Sequence, residues 1–266
     1  MSDVEVKRVA TVSGRETAFQ AESVSAGYNP ARPIISDLSF TVARGEIAAL
    51  VGPSGVGKTT LLRTLSGLLP VLQGQVVLEG VPVVGPPREL TMVFQDYSRS
   101  LLPWMTVRKN VELVLEAAKV DKKARRARAD RALAAVGLAD HADKFPWQMS
   151  GGMQQRSAIA RALAYEPHVL LMDEPFASVD AITRNELEDL VLSVQQEFGV
   201  TVMLVTHDID EAIYMSDRIF VLNGTPATIQ EIVEVPLSRP RNQVDTKAEP
   251  LFAELRGTVY RLVHRN

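Results

Sequence analysis

The run Gly52-Pro53-Ser54-Gly55-Val56-Gly57-Lys58-Thr59-Thr60 has the spacing G-x-x-x-x-G-K-S/T, and the chemistry of that spacing is the grip on a polyphosphate. Its glycines let consecutive backbone N–H groups turn inward towards phosphate oxygens. A helix opening after the loop adds its unpaired N–H groups and the positive end of its dipole. Lys58 brings a full charge to the β- and γ-phosphates, and Thr59 offers a hydroxyl to Mg²⁺, which prefers octahedral oxygen ligands. A second group is Asp173-Glu174, two carboxylates directly after the apolar run Val169-Leu170-Leu171-Met172. A carboxylate at the C-terminal end of a buried strand lies where open α/β sheets bind ligands. Asp173 is placed to hold Mg²⁺ through water, and Glu174 to orient or deprotonate a water attacking the γ-phosphate. A surface carboxylate capping the next loop is the other reading of Glu174. A third group is Ser150-Gly151-Gly152 ahead of a helical run reaching Tyr165. Ser150 is a good N-cap, and the glycines leave N–H groups open to an anion, although a plain capped helix can carry the same residues.

The elements that must position these groups are legible in the apolar pattern. Ile47 to Val51 is a short apolar run, as a buried parallel strand is, and Thr59 to Leu65 reads as the helix that follows the loop. Alternation predicts strands of a mixed edge sheet over Ala18 to Val24 and Leu38 to Val42. Gly74 to Leu78 reads as a strand, Gly80 to Pro87 as a loop, and Met92-Val93-Phe94 as a short buried strand ending in Gln95. From Val107 to Gly137 the pattern turns helical, with Val107, Val111, Val114 and Leu115 on one face. A second helix over about Lys122 to Val136 carries a basic run that reads as a solvated face. Strand and helix then alternate again: Val169 to Met172, Ile182 to Phe198, Val200 to Val205, Ile209 to Met215, Arg218 to Leu222. Such alternation implies a parallel sheet with helices on both faces. The stretch from Thr225, rich in proline, reads as an extension with one or two further elements.

Composition narrows the function classes. The chain has 266 residues, enough for one large domain with a small appendage. Without cysteine it has no disulfide, no thiolate zinc site and no thiol nucleophile. A net charge of -3 makes no case for nucleic acid as a partner. No apolar run approaches the roughly 18 to 20 residues that cross a bilayer, so a membrane role must come through a partner. The polar stretch Met1 to Thr17 has no apolar segment of the kind a secretory signal needs.

Taken in order, the phosphate loop, a glutamine ending a strand, a helical insert, Ser-Gly-Gly before a helix, an apolar strand with Asp-Glu and a strand ending in His resemble the ATP-binding-cassette (ABC) ATPases. The likeness covers roughly Ala21 to Leu222. It implies an α/β phosphate-loop NTPase with a mixed, mainly parallel core sheet, an N-terminal antiparallel β subdomain and an inserted α-helical subdomain. The expected division is a flexible leader over 1–18, the ATPase domain over 19–224 with the helical insert at about 97–165, and an extension over 225–266.

The resemblance also implies roles. Tyr28 matches the aromatic that stacks on adenine, and Gln95 the glutamine that contacts the metal and the attacking water. His207, ending Val202 to His207, matches the histidine that donates to the γ-phosphate. Asp180 lies in the loop that follows the dimer interface. Ser150, Gly151 and Gly152 match the signature that completes the site of a second copy, so ATP is sandwiched in a head-to-tail dimer of this chain or of this chain with a related ATPase. Two residues depart from the usual Leu-Ser-Gly-Gly-Gln: Met149 and Met153 stand at its ends, and Met153 removes an amide side chain.

Within the family, Leu101-Leu102-Pro103-Trp104-Met105-Thr106-Val107 and the run Val235 to Arg241 resemble the ATPase subunits of bacterial importers for nitrate, taurine and alkanesulfonates. That implies an energy-coupling ATPase with ATP and Mg²⁺, bound peripherally at the cytoplasmic face of the cell membrane. It works with an integral permease and, indirectly, with a solute-binding protein. Trp104 with Leu101 and Leu102 is expected to line the groove that receives a short helix of the permease. The alternative is a soluble ABC ATPase, or a nucleotide-binding scaffold, outside transport.

Overall fold

The computed structural model describes residues 16–96 and 100–264. The leader expected over 1–18 lies outside the described residues as far as residue 15, and the first strand begins at Thr17. Strands β1 (Thr17–Ala26), β2 (Ile35–Ala43), β4 (Gln73–Leu78) and β5 (Val81–Pro82) form a four-stranded sheet in the order β2-β1-β4-β5. Every pairing in it is antiparallel, which bears out the N-terminal antiparallel β subdomain that the family resemblance implies and corrects the mixed edge sheet expected from alternation. The reason is connectivity: β1 and β2 are joined only by residues 27–34, too few for the long crossover that a parallel return needs. β5 falls inside the stretch expected to be a loop, with Pro82 at the sheet edge, where its missing N–H costs no ladder bond.

The central sheet has six strands. β3 (Ile47–Val51), β6 (Leu90–Val93), β7 (Val169–Asp173), β8 (Thr201–Val205) and β9 (Arg218–Asn223) run parallel, and β10 (Thr228–Glu234) lies antiparallel on β9. Their order is β10-β9-β3-β8-β7-β6. Every residue of β3, β7 and β8 is buried, as strands covered on both faces must be. Alternate residues then serve two cores. Leu50, Val205 and Phe220 face the antiparallel sheet and α1 (Lys58–Leu65), and the Phe40 and Phe220 rings meet at 5.2 Å. Ala49, Leu204 and Ile219 face the helices. β6 stops at Val93, so Phe94 is exposed and Gln95 stands beyond the strand rather than at its last position.

Helices α2 (Val107–Ala117), α3 (Lys122–Ala135) and α4 (Gly151–Ala164) form the insert between β6 and β7. Val107, Val111 and Leu115 are fully buried, as their spacing predicts. The basic run on α3 is more than a solvated face, because Arg125 pairs with Glu116 at 3.0 Å and Arg128 with Glu166 at 3.0 Å. Helices α5 (Ala181–Phe198), α6 (Ile209–Met215), α7 (Asp245–Ala248) and α8 (Pro250–Val263) complete the fold. The stretch after Thr225 therefore contributes three elements, β10, α7 and α8, rather than one or two. β10 extends the central sheet, and Phe252 and Val259 of α8 enter its core.

One buried ion pair joins the two sheets. Arg218 on β9 donates from Nε to Glu46 Oε1 at 2.6 Å and from Nη2 to Glu46 Oε2 at 2.9 Å, and again from Nη2 to the Thr41 carbonyl at 2.7 Å. Both side chains are 3 % exposed. Glu46→Ala leaves a buried guanidinium without its anion and is expected to lower the unfolding free energy by about 3–5 kcal/mol in urea titration. A loss below about 1 kcal/mol, the value of an exposed pair, contradicts this reading of the pair.

Candidate functional site

The phosphate loop runs from the end of β3 into α1. Two of its glycines are required by close approach. A Cβ on Gly52 would stand 2.5 Å from the Leu222 carbonyl oxygen, and one on Gly57, at φ 114°, would stand 2.7 Å from Ile34 Cγ2. Gly57 is also the N-cap of α1, and no side chain caps that end or places a carboxylate in its first turn. The first N–H groups of α1 are thus left for a ligand, at the positive end of the helix. Lys58 is 7 % exposed and its Nζ donates to the carbonyls of Gly52 at 2.8 Å and Pro53 at 3.1 Å, which folds the side chain back across the loop. Burial pushes its pKa below the ordinary lysine value, while Glu174 and Asp173 push it back up.

Across from the loop stands the end of β7. Asp173 Oδ1 accepts from Thr59 Oγ1 at 3.1 Å. Burial raises the Asp173 pKa, with the Thr59 hydrogen bond working against it. The pair is an oxygen donor set of the kind a hard divalent cation takes, in a place where an added positive charge would stabilise the carboxylate. Glu174, one residue on, turns away from the strand with φ 45°, a left-handed conformation that costs a non-glycine residue roughly 1 kcal/mol or more. Its N–H donates to the Val205 carbonyl at 2.9 Å and holds it there. Its Oε2 is 3.2 Å from Gln95 Nε2 and 3.2 Å from His207 Nδ1. Residues 79 and 33 positions away thus converge on one carboxylate oxygen.

The remaining sequence-predicted residues make contacts of their own, apart from this centre. Tyr28 is 62 % exposed, and its hydroxyl accepts from Arg63 Nη1 of α1 at 2.9 Å. Asp180 caps α5, accepting from the N–H groups of Ile182 and Thr183 and from the Thr183 hydroxyl at 2.7 Å; these hydrogen bonds lower its pKa. Ser150 caps α4 through Met153 N at 3.4 Å, and Ser150 and Gly151 are exposed. Gly152 packs close to α5, where a Cβ would meet Thr183 Cγ2 at 2.5 Å. Among the described residues, no hydrogen bond links residues 150–152 to the phosphate loop of the same chain. Met149 is buried and Met153 packs against the helical core, so the departures from Leu and Gln at the signature's ends are packing residues here.

A groove of about 390 Å³ opens between β6 and α4, with Leu90, Met92, Phe94, Arg161 and Tyr165 among its walls. Trp104 is 70 % exposed, but Leu101 is 2 % exposed and Leu102 half-buried, so the expectation that both leucines present themselves with Trp104 is corrected. The cause is Asn110, a residue that periodicity passed over. Fully buried on α2, it accepts from Leu102 N at 2.7 Å and donates to the carbonyls of Leu102, Met105 and Thr106, which turns the segment inward. An amide one turn from Val107 on an otherwise apolar helix face was the available signal. Arg161, also missed, donates to the Ser100 carbonyl and, at 2.8 Å, to its hydroxyl. Tyr97, Ser98 and Arg99, at the start of the insert expected over about 97–165, lie outside the described residues.

Residues 35–177 match the family described as ABC transporter. Over 234 residues the chain is 42% identical to a nitrate import ATP-binding protein of Synechococcus elongatus, covering 87% of this chain and 85% of that one. Over 213 residues it is 47% identical to an aliphatic sulfonates import ATP-binding protein of Xanthomonas axonopodis pv. citri, covering 80% and 84%. Among solved structures it is similar to cbiO1 from Clostridium perfringens, described as part of the ABC transporter complex cbiONQ. The TM-score is 0.78 at 26% identity, over 94% of this chain and 96% of that one.

Proposed function

This chain belongs to the ABC transporter family, and from that membership we propose that it is the ATP-hydrolysing, energy-coupling subunit of an importer for a small solute such as nitrate, a sulfonate or taurine. The observation that carries the hydrolytic part is the convergence of Gln95 and His207 on Glu174, next to Lys58 and the Thr59–Asp173 pair. Lys58, the loop N–H groups of residues 52–60 and the head of α1 hold the β- and γ-phosphates, and Tyr28 stacks on the adenine. Thr59, Gln95 and Asp173 would hold Mg²⁺, which would supply charge neutralisation on the phosphate oxygens. Glu174 takes a proton from the attacking water while Gln95 orients that water. The water oxygen bonds to the γ-phosphorus, and the bond to the bridging oxygen breaks to leave ADP. His207 and Lys58 donate to the oxygens on which charge develops.

Ser150, Gly151 and Gly152 face a second copy, or a related ATPase, and close over its γ-phosphate. The support is that these residues cap an exposed helix head and bond to nothing in their own phosphate loop among the described residues. The membrane part belongs to a separate permease, since no described helix is long and apolar enough to cross a bilayer. The groove between β6 and α4, together with the exposed Trp104, is the surface offered to it at the cytoplasmic face, and a solute-binding protein delivers solute on the other side. The test is phosphate release from ATP and Mg²⁺ by the full chain, alone and with its permease in vesicles. Hydrolysis that the permease stimulates is expected; a chain that binds ATP and releases no phosphate in either setting is a scaffold.

A further inference from the structure

Helix α6 begins two residues after His207 and has only seven residues, too few to hold its own direction, so its placement is set by what grips it. Asp208 caps it, accepting from Asp210 N at 2.9 Å and Glu211 N at 3.2 Å, and takes Arg184 Nη1 of α5 at 3.1 Å. The other grips come from the chain beyond β10. Arg241 Nη1 donates to the carbonyls of Ile213 at 3.3 Å and Tyr214 at 2.7 Å, and Arg239 Nη2 reaches the Met215 carbonyl at 3.5 Å. These arginines satisfy the last turn of α6, whose carbonyls have no helical partner. At the other end, Arg256 of α8 holds Asp210 with two prongs, Nε to Oδ1 at 2.5 Å and Nη2 to Oδ2 at 2.7 Å. α8 is itself anchored, with Phe252 and Val259 fully buried.

We propose that Arg256 is a positioning residue for His207, acting through Asp210 and the first turn of α6. The inference rests on the hydrolytic role proposed for His207. A two-pronged guanidinium–carboxylate pair fixes orientation as well as distance. Asp210 lies three residues from a histidine whose Nδ1 is 3.2 Å from Glu174, so a tilt at the head of α6 displaces that imidazole. The pair is also exposed, 48 % at Arg256 and 41 % at Asp210. Exposed pairs add little to stability, whereas small misplacements of a reacting group are felt strongly in rate, so the two roles separate experimentally.

In the full chain, Arg256→Gln is expected to lower kcat roughly tenfold, with the KM for ATP unchanged within about twofold and the melting temperature held. Asp210→Asn should do the same, and the double variant should be no worse than either single one, as for two ends of one contact. The chain has four histidines, so the imidazole of His207 is readable by ¹H–¹⁵N NMR, assigned by its loss in His207→Gln. In Arg256→Gln bound to ATP its signal should move while those of His141 and His168 stay. Wild-type kcat in Arg256→Gln, additive losses in the double variant, a rise in KM together with a fall in melting temperature, or an unmoved His207 signal each overturn the proposal. A wild-type chain without phosphate release overturns the hydrolytic reading instead, and the NMR measurement still decides whether Arg256 sets the place of His207.

Discussion

Glu174→Gln is expected to remove turnover by about 10²- to 10⁴-fold, the range a general base contributes, while ATP binding survives. The substitution keeps the size of the side chain and an oxygen for Gln95 and His207, which now sit 3.2 Å from Glu174 Oε2. It removes only the ability to take a proton. The strained backbone at φ 45° is held by the bond to Val205, not by the carboxylate, so the geometry of the site should persist. Phosphate release and equilibrium binding of a fluorescent ATP analogue measure the two halves separately. Turnover within about threefold of wild type would remove Glu174 from the proton transfer and leave it an orienting role.

Lys58→Ala acts on the other half. A charge-assisted hydrogen bond is worth about 1.5–3 kcal/mol, so losing one to phosphate weakens ATP binding by roughly 10- to 100-fold. The lysine also ties the carbonyls of Gly52 and Pro53 across the loop, and its loss frees those carbonyls to face the space a phosphate would occupy. Binding should therefore fall towards the upper end of that range. Unchanged affinity in Lys58→Ala cannot be reconciled with a triphosphate lying in this loop.

The parts of this site that were legible in the sequence are those whose determinants are contiguous. The loop from Gly52 to Thr60 carries its glycines, lysine and hydroxyl in one run, and the apolar strands on either side betray its context. Helix α6 was placed over Ile209 to Met215 from its own residues, and Asp208 caps it. What local pattern could not supply was convergence. Nothing in the spacing of Gln95, Glu174 and His207 says that they share one oxygen; that expectation came from likeness to a family, and the parallel order β8-β7-β6 is what brings the three strand ends together. Leu101 was misplaced for a similar reason. Its apolar neighbours suggested a presented surface, and only the bonds of Asn110, eight positions from Leu102, show why the segment turns inward. Arg239 and Arg241 stood in the sequence only as part of a family-like run, and Arg256 carried no signal, because their partners on α6 lie more than twenty residues earlier.

The central claim is that a triphosphate is closed between the Lys58 loop of one copy and the Ser150–Gly152 helix head of another. The most direct test is the mass in solution of Glu174→Gln with ATP and Mg²⁺, by light scattering. The account predicts a dimer that needs nucleotide and is lost when Ser150→Arg is added to the same chain. A Glu174→Gln protein that is saturated with ATP and stays monomeric contradicts it.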